Sequence, residues 1–395
     1  RLDTLSIWDL PTHFRERTSD VVTLPQLFKQ NGYHTQNIGK IYHNWRQDDY
    51  KGDPKSWSVP AMLHYNTHGA DKAMIDGKLP PNLSDVPRTE KREVPDNAYF
   101  DGPIAEKAVA ALNELKGQRF FLAVGFWKPH AHFNAPKKYW DMYDPAKIPV
   151  LASARPPKDV PEIALHDSRE IRRAFKSRPG GKPTDADTHA LRHGYYAATS
   201  YVDAQVGKVL DGLKRLGLEE NTIVVFWSDH GYHLGEHGLW AKTSNFELDA
   251  RVPLIISAPG YKPGQKTDAL VELLDLYPTL ADLCQLKPPD ELEGKSLRLV
   301  LKNPSANVKD FALTQHPRPA YPPQGEDPEA MGYSLRTVHW RYTQWRDFRS
   351  GKVLAEEFDD HQSDPDETFN VAGSESNAKA IAELAGRLPR GLARQ

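Results

Sequence analysis

The tetrad Ser228-Asp229-His230-Gly231 follows directly on the apolar run Thr222-Ile223-Val224-Val225-Phe226-Trp227. In an open parallel sheet, ligands gather at the carboxyl ends of the strands, so a carboxylate and an imidazole placed there can face one crevice. A hard divalent cation suits them, because Asp supplies the oxygen that calcium or magnesium prefers and one His is tolerated among oxygens. Taken alone, such a pair is more often an Asp capping the next turn beside a solvated His. Its company changes the balance. Gly39-Lys40-Ile41-Tyr42-His43 also follows an extended run, Lys128-Pro129-His130 follows Phe120 to Phe126, and Lys242 comes soon after the Asp-His pair in Leu239-Trp240-Ala241-Lys242. Lysines at strand ends would hold a tetrahedral anion as point charges, and histidines there could pass a proton to or from an oxygen leaving group. The expectation is that Lys40, His43, Lys128, His130, Asp229, His230 and Lys242 meet in one cleft at the carboxyl edge of a sheet.

The elements that must position these residues are legible from periodicity. Val21 to Gln30 has the apolar spacing of a short helix and ends near Gly32, and Tyr33 to Ile38 reads as the strand before Gly39-Lys40. Phe120 to Phe126 is continuously apolar, so both of its faces should be covered. Leu191 to Leu216 carries Tyr195, Ala198, Val202, Val206, Leu210 and Leu213 at helical steps and stops at Gly217; it feeds the buried strand Thr222 to Trp227. Pro253 to Ser257 is a further strand, followed by a helix from Leu276 to Leu286 with Asp275 as its N-cap. Strands alternating with helices imply an α/β fold with a mainly parallel sheet flanked by helices. Leu286 to Ala330 is rich in Pro, Lys and Asp and reads as a boundary and long loop. Beyond it, Tyr333 to Thr337 and Arg341 to Trp345 alternate like an antiparallel hairpin, and Ala378 to Leu388 reads as a last helix. The division this suggests is an α/β domain over 1–304 and a smaller C-terminal α+β domain with an antiparallel sheet over 305–395. Ala152 to Thr188, rich in Pro and charge, is read as a loop insertion without assigned structure.

Composition narrows the class of function. The 395 residues hold 51 Lys and Arg against 53 Asp and Glu, a formal charge of −2, which gives no general pull toward nucleic acid or anionic lipid. No apolar run approaches the roughly 20 residues of a spanning helix. The single cysteine, Cys284, can form neither an intrachain disulfide nor a cysteine-based zinc site, and it reads as a core residue of the helix after Asp275.

The sequence resembles the sulfatases of the alkaline-phosphatase superfamily, and most closely the iduronate-2-sulfatase type. The resemblance lies in Val124-Gly125-Phe126-Trp127-Lys128-Pro129-His130, in Tyr195 to Gly207, in Ser228 to Lys242, in Arg251-Val252-Pro253-Leu254-Ile255, in Asp275 to Leu280, and in Met331 to Thr337 with Arg341-Tyr342-Thr343. The family often reads Gly-Lys-Trp-His where this chain has one residue more between Lys40 and His43, a spacing like that of the iduronate-sulfatase branch. The resemblance implies that Asp229 and His230 are two ligands of one calcium ion, and that Lys40 and Lys242 neutralise sulfate oxygens. It implies that His43 serves the nucleophile, and that His130, with Lys128 beside it, protonates the leaving alcohol. The family's nucleophile is a formylglycine made from a Cys- or Ser-x-Pro-x-Arg motif, which does not occur in these residues. Arg1-Leu2-Asp3-Thr4 resembles the segment just after that motif. The expectation is therefore an N-terminally truncated chain, inactive as it stands, with the nucleophile and the remaining calcium ligands upstream of Arg1 and a periplasmic or secreted location for the complete protein.

The leading reading is a sulfuric ester hydrolase acting on a sulfated sugar or polysaccharide, with sulfated carbohydrate as its partner. A phosphodiesterase or phosphonate hydrolase of the same superfamily is the nearest alternative, since lysines and a metal hold phosphate as readily as sulfate. A non-catalytic sulfoglycan-binding protein is the other. Glu236, His237 and Trp240 read equally as sugar contacts or loop packing, and His316 with Arg318 as pocket rim or as part of a plain Pro-rich loop.

Overall fold

The computed structural model describes residues 1–43, 52–64, 75, 78–149, 151, 154–177 and 179–391. The chain divides into two compact units, Val22–Leu151 with Arg169–Thr222, and Arg1–Val21 with Ala152–Ser168 and Ile223–Gln395. Among the described residues no helix is long and apolar enough to cross a membrane.

In the Val22–Thr222 unit, α1 (Leu24–Gln30) starts at Thr23, whose hydroxyl accepts from the Gln26 N–H, and has Pro25 in its first turn. The strands β1 (His34–Gly39), β2 (Thr89–Arg92), β3 (Phe120–Gly125) and β4 (Phe133–Pro136) form two parallel pairs, β1 with β3 and β2 with β4. The helix α2 (Asp101–Glu114), for which the sequence reading has no counterpart, buries Ile104, Ala105, Ala108, Ala111 and Leu112 and shares a core with Ile38 and Trp127. Short helical turns occupy part of the expected loop insertion, α3 (Arg169–Arg172) among them; Ala152, Ser153 and Arg178 of that insertion lie outside the described residues.

The long helix α4 runs from Asp185 to Arg215, six residues earlier than the apolar pattern suggests, because Thr184 and Asp187 close a capping box ahead of it. Its buried stripe is also offset from the expected one. Tyr201 and Gln205 are fully buried while Leu210 is exposed. The Tyr201 hydroxyl lies 2.8 Å from the Asp96 carbonyl and accepts from the Gly102 N–H, and the Gln205 amide donates to Asp96, so these polar side chains enter the core with their hydrogen bonds made.

In the other unit, β5 (Val224–Trp227) is followed by the two-residue strands β6 (His233–Leu234) and β7 (Trp240–Ala241), which pair with each other. The helix α5 (Glu247–Ala250) leads to β8 (Leu254–Ser257), which runs antiparallel to β5 with Trp227 opposite Leu254 and Val224 opposite Ser257. Three strands expected to be covered are open. Phe226, Trp227 and Ile255 are 40%, 47% and 62% exposed, and β3 is only half-buried along its length. Among the described residues each belongs to a two-stranded ladder, so an outer edge and part of a face have no strand beside them there.

Helices α6 (Leu276–Leu283) and α7 (Arg298–Lys302) precede a four-stranded antiparallel sheet of β9 (Ala312–Arg318), β10 (Ala330–Arg336), β11 (Trp340–Asp347) and β12 (Val353–Asp360), in the order β12-β11-β10-β9. Asp275 does not cap α6 with its side chain; it accepts instead from the Lys295 N–H and from Lys309 Nζ. One face of the sheet is apolar: Met331, Tyr333, Leu335, Tyr342 and Phe358 pack with Trp8 and with Leu384 of α8 (Ala378–Ala385). The opposite face carries Arg318, Ser334, Arg341, Thr343, Trp345, Glu357 and Asp359, all buried.

Candidate active site

Lys40 and the Trp127–His130 turn leave the same end of the β1–β3 pair. Gly39 lies opposite Gly125, and the Lys40 N–H donates to the Gly125 carbonyl at 2.8 Å. Both glycines are demanded by that approach: a Cβ on Gly39 would stand 2.1 Å from the Gly125 oxygen, and one on Gly125 would stand 1.8 Å from the Lys40 oxygen. The next turn is anchored by the buried Asp101 at the start of α2, whose carboxylate accepts from the backbone N–H groups of Trp127 (2.8 Å) and Lys128 (3.0 Å). Lys128 is itself buried and donates from Nζ to the His132 carbonyl at 2.9 Å. His130 Nδ1 is 2.5 Å from the Ala131 carbonyl, which fixes the proton on that nitrogen, and Nε2 lies 3.4 Å from Glu170 of α3. His43 is half-buried at the end of the described part of the loop after β1. Lys40, His43, Lys128 and His130 thus belong to one unit, at the carboxyl ends of parallel strands as expected.

Asp101 and Glu170 were not found from the sequence, Asp101 because its partners are 26 and 27 residues away. Replacing Asp101 by Ala leaves two buried N–H groups without their acceptor, at a cost of roughly 2–4 kcal/mol. Urea unfolding of the variant checks this, and an unchanged midpoint would remove the anchoring role.

Asp229, His230 and Lys242 belong to the other unit. Asp229 follows β5 with its side chain 60% exposed, and its Oδ2 is 3.8 Å from His230 Nε2. His230 Nδ1 lies 2.7 Å from the Gly231 carbonyl, so that nitrogen carries a proton. Lys242 follows β7 between Ala241 at φ 71° and Thr243 at φ 100°. For a β-branched residue such a φ is a genuine outlier, and strained backbone of this kind concentrates where a side chain must be aimed.

The surroundings hold that strain in place. Arg318 donates to the carbonyls of Ile163, Ala164 and Thr243 and stacks on Trp345, its guanidinium carbon 4.5 Å from the ring centre; burial brings its pKa down to about 10. Asp249 of α5 accepts from Ser244 N–H and Oγ–H just beyond Lys242, and from His233 Nδ1 at 2.7 Å. Burial acts to raise the Asp249 pKa, but His233 and Ser244 prevail and lower it. His233 Nε2 is 3.2 Å from His237 Nδ1, and His237 Nε2 donates to the Asp366 carbonyl. Making all three bonds takes one proton more than two neutral imidazoles carry. Burial lowers the His237 pKa.

His237 and Trp240 are buried, and Glu236 accepts from the Leu234 N–H, contacts that pack the loop. His316 and Arg318 lie in β9 rather than in a loop; Pro317 between them is tolerated because β9 is the sheet's edge strand. His316 is half-buried, and its pKa is held down to about 4 by desolvation and by Arg318. Glu247, His361 and Glu367 bring possible ligand atoms within 4.8 Å of one another. Arg341 donates to both carboxylates, however, so the positive charge at this cluster is already a guanidinium.

The chain matches the sulfatase family model over residues 5–286 and the C-terminal model of N-sulphoglucosamine sulphohydrolase over 235–393. It belongs to the sulfatase family, within the alkaline-phosphatase-like superfamily, and its chemistry is the hydrolysis of sulfuric esters. It is 33% identical to mouse iduronate 2-sulfatase over 97% of this chain and 82% of that protein, and 33% identical to the human enzyme over 94% and 80%. Its fold is shared with a protein solved in complex with its substrate D-glucosamine-2-N,6-O-disulfate (TM-score 0.73, 20% identity, 98% of this chain and 84% of that one). It is also shared with a phosphonate monoester hydrolase from Silicibacter pomeroyi (TM-score 0.74, 22% identity, 98% and 82%).

Proposed function

We propose that this sulfatase removes sulfate from a 2-sulfated uronic acid or a closely related sulfated sugar unit of a polysaccharide. The observation that carries the choice of substrate is the 33% identity to iduronate 2-sulfatase over nearly the whole chain. In this reading Asp229 and His230 hold a calcium ion. Their donor atoms, 3.8 Å apart, are closer than the roughly 4.6–5.2 Å spanned by two calcium–oxygen bonds end to end, so both can face one ion. Bound there, calcium adds fixed positive charge opposite the sulfuryl oxygens. Lys40 and Lys242 neutralise those oxygens, and the strained backbone around Lys242 aims its ammonium.

His43 faces the attacking group, and His130, beside Lys128, gives a proton to the departing sugar oxygen. Glu170 sets a carboxylate 3.4 Å from Nε2 of that imidazole. The attacking group in this reading is the family's formylglycine.

Titration calorimetry with a 2-O-sulfated uronate disaccharide tests the reading. Binding in millimolar calcium should weaken at least about tenfold in chelator or in Asp229→Ala, the loss of one charged contact being worth about 1.5–3 kcal/mol. Equal affinity for the unsulfated disaccharide would end the proposal, and preference for a phosphonate monoester would favour the phosphonate hydrolase alternative.

A further inference from the structure

Tyr261, Lys262, Gln265, Arg298, Leu301 and Lys302 line a cavity of about 420 Å³ in the unit that contains β5 to β12. That volume is within the roughly 300–1,000 Å³ of small-ligand pockets. Its walls hold cationic side chains and no carboxylate. Arg298 is set in place from behind: one terminal nitrogen donates to Asp282 of α6 at 2.8 Å, and Nε donates to the Tyr261 hydroxyl at 3.2 Å. Asp282 is held in turn by the Ser296 hydroxyl at 2.7 Å. Opposite α7, the loop that presents Tyr261 and Lys262 is bracketed by Gly260 at φ 79° and Gly264 at φ 70°, with Pro263 fixing the bend between them. A preset guanidinium, two lysines, an amide and an aromatic wall make a surface for an anionic sugar: the cations take sulfate or carboxylate oxygens, Gln265 takes a hydroxyl, and Tyr261 offers its ring to sugar C–H groups.

The cavity stands apart from Asp229 and His230. Asp229 leaves the Trp227 end of the antiparallel β5–β8 ladder, whereas Gly260 and Tyr261 leave the Val224 end with β8. Four paired residues separate the two ends, a length of roughly 13 Å before either loop is counted.

We infer that this cavity is a second binding site, for a sulfated or uronate-bearing unit of the polysaccharide whose sulfate ester is addressed at Asp229 and Lys242. The inference rests on the substrate class proposed above. Two sites on one chain of sugars raise the affinity for a polymer over that for a disaccharide without any new contact at the first site.

The test uses the 395-residue chain with two probes, a heparin-derived octasaccharide and the 2-O-sulfated uronate disaccharide, and the double variant Lys262→Glu/Lys302→Glu. Both lysines are exposed, and an unchanged thermal midpoint verifies the fold. Octasaccharide affinity should fall at least about tenfold in the double variant while disaccharide affinity stays within about twofold, and Lys242→Ala should weaken the disaccharide. An octasaccharide affinity unchanged by the double charge reversal overturns the second site and leaves the substrate proposal standing if Lys242→Ala still weakens the disaccharide. Equal loss of affinity for duplex DNA and for the octasaccharide also overturns it, since the cavity would then be a basic patch without sugar preference. Loss of octasaccharide binding in the double variant, with no disaccharide binding by the unaltered chain, upholds the second site and ends the substrate proposal.

Discussion

Replacing Lys242 by Ala should weaken binding of a 2-O-sulfated uronate disaccharide by about 10- to 100-fold, the worth of one charge-assisted contact to a sulfate oxygen. In active enzyme, the same change should lower kcat by about 10²–10³-fold, because a preorganised cation aimed at developing charge is worth more in the transition state than in the ground state. Lys242 is half-buried, and its neighbours are held by Arg318 on the Thr243 carbonyl and by Asp249 on the Ser244 N–H. Arg at the same position keeps the charge but not the reach of the ammonium, so Lys242→Arg should recover binding more fully than turnover. Calorimetry and sulfate release separate the two effects. Unaltered disaccharide affinity in Lys242→Ala would remove this lysine from the site.

Residues next to strong strands were legible; residues that hold them from far along the chain were not. Lys128, His130 and Asp229 each follow an apolar run and Lys40 follows the polar strand His34–Gly39, so their places just after strand ends could be read from the sequence. Arg318 reaches Thr243 across 75 positions and Ile163 across 155, and no local pattern announces such a contact. In β9 the Pro-rich composition hid a strand, since an edge strand can spare the donor that Pro317 lacks. The helix α2 was missed because four of its seven buried positions are Asp101, Gly102, Ala105 and Ala108, too small or too polar to stand out as an apolar stripe. The β10–β11 hairpin was legible as alternation, but alternation alone does not say that its polar face is buried as well. Ser334, Thr343 and Glu357 look like solvent-facing positions, yet each is at most 4% exposed.

That buried polar face gives the sheet a proton-dependent stability. Glu367 lies beside the Arg341 guanidinium at 2.6 Å, accepts from His361 and from the Glu247 N–H, and is held well below the usual carboxylate range despite burial, which acts the other way. Glu357 has no such cation in contact. Burial, reinforced by the charge of Glu367, lifts its pKa to about 7, against the Trp345 Nε1–H bond at 2.7 Å and the more distant Arg318 and Arg341. Asp359 on the same strand is raised as well, by burial first and then by Glu367 and Glu357.

A carboxyl whose pKa is higher folded than unfolded contributes stability that is complete below the unfolded value and is lost as pH rises through the folded one. The chain should therefore lose on the order of 3 kcal/mol between about pH 4.5 and 7 from Glu357 alone. On the acid side the sign is opposite. Asp96 is held down to about 2 because its bonds to Lys138 and Lys208 outweigh burial, so its contribution is present above its ordinary value of 3.8 and is lost as pH falls toward 2.

Glu357→Gln keeps an acceptor for the Trp345 indole and never ionises. It should match the unaltered chain at pH 5 and exceed its unfolding free energy by about 2–3 kcal/mol at pH 8. Urea unfolding at the two pH values decides it. A variant less stable at pH 8, or an unaltered chain whose stability is flat across the interval, would mean that Glu357 is already ionised in the fold, its negative charge balanced by Arg318 and Arg341 as Arg341 balances that of Glu367.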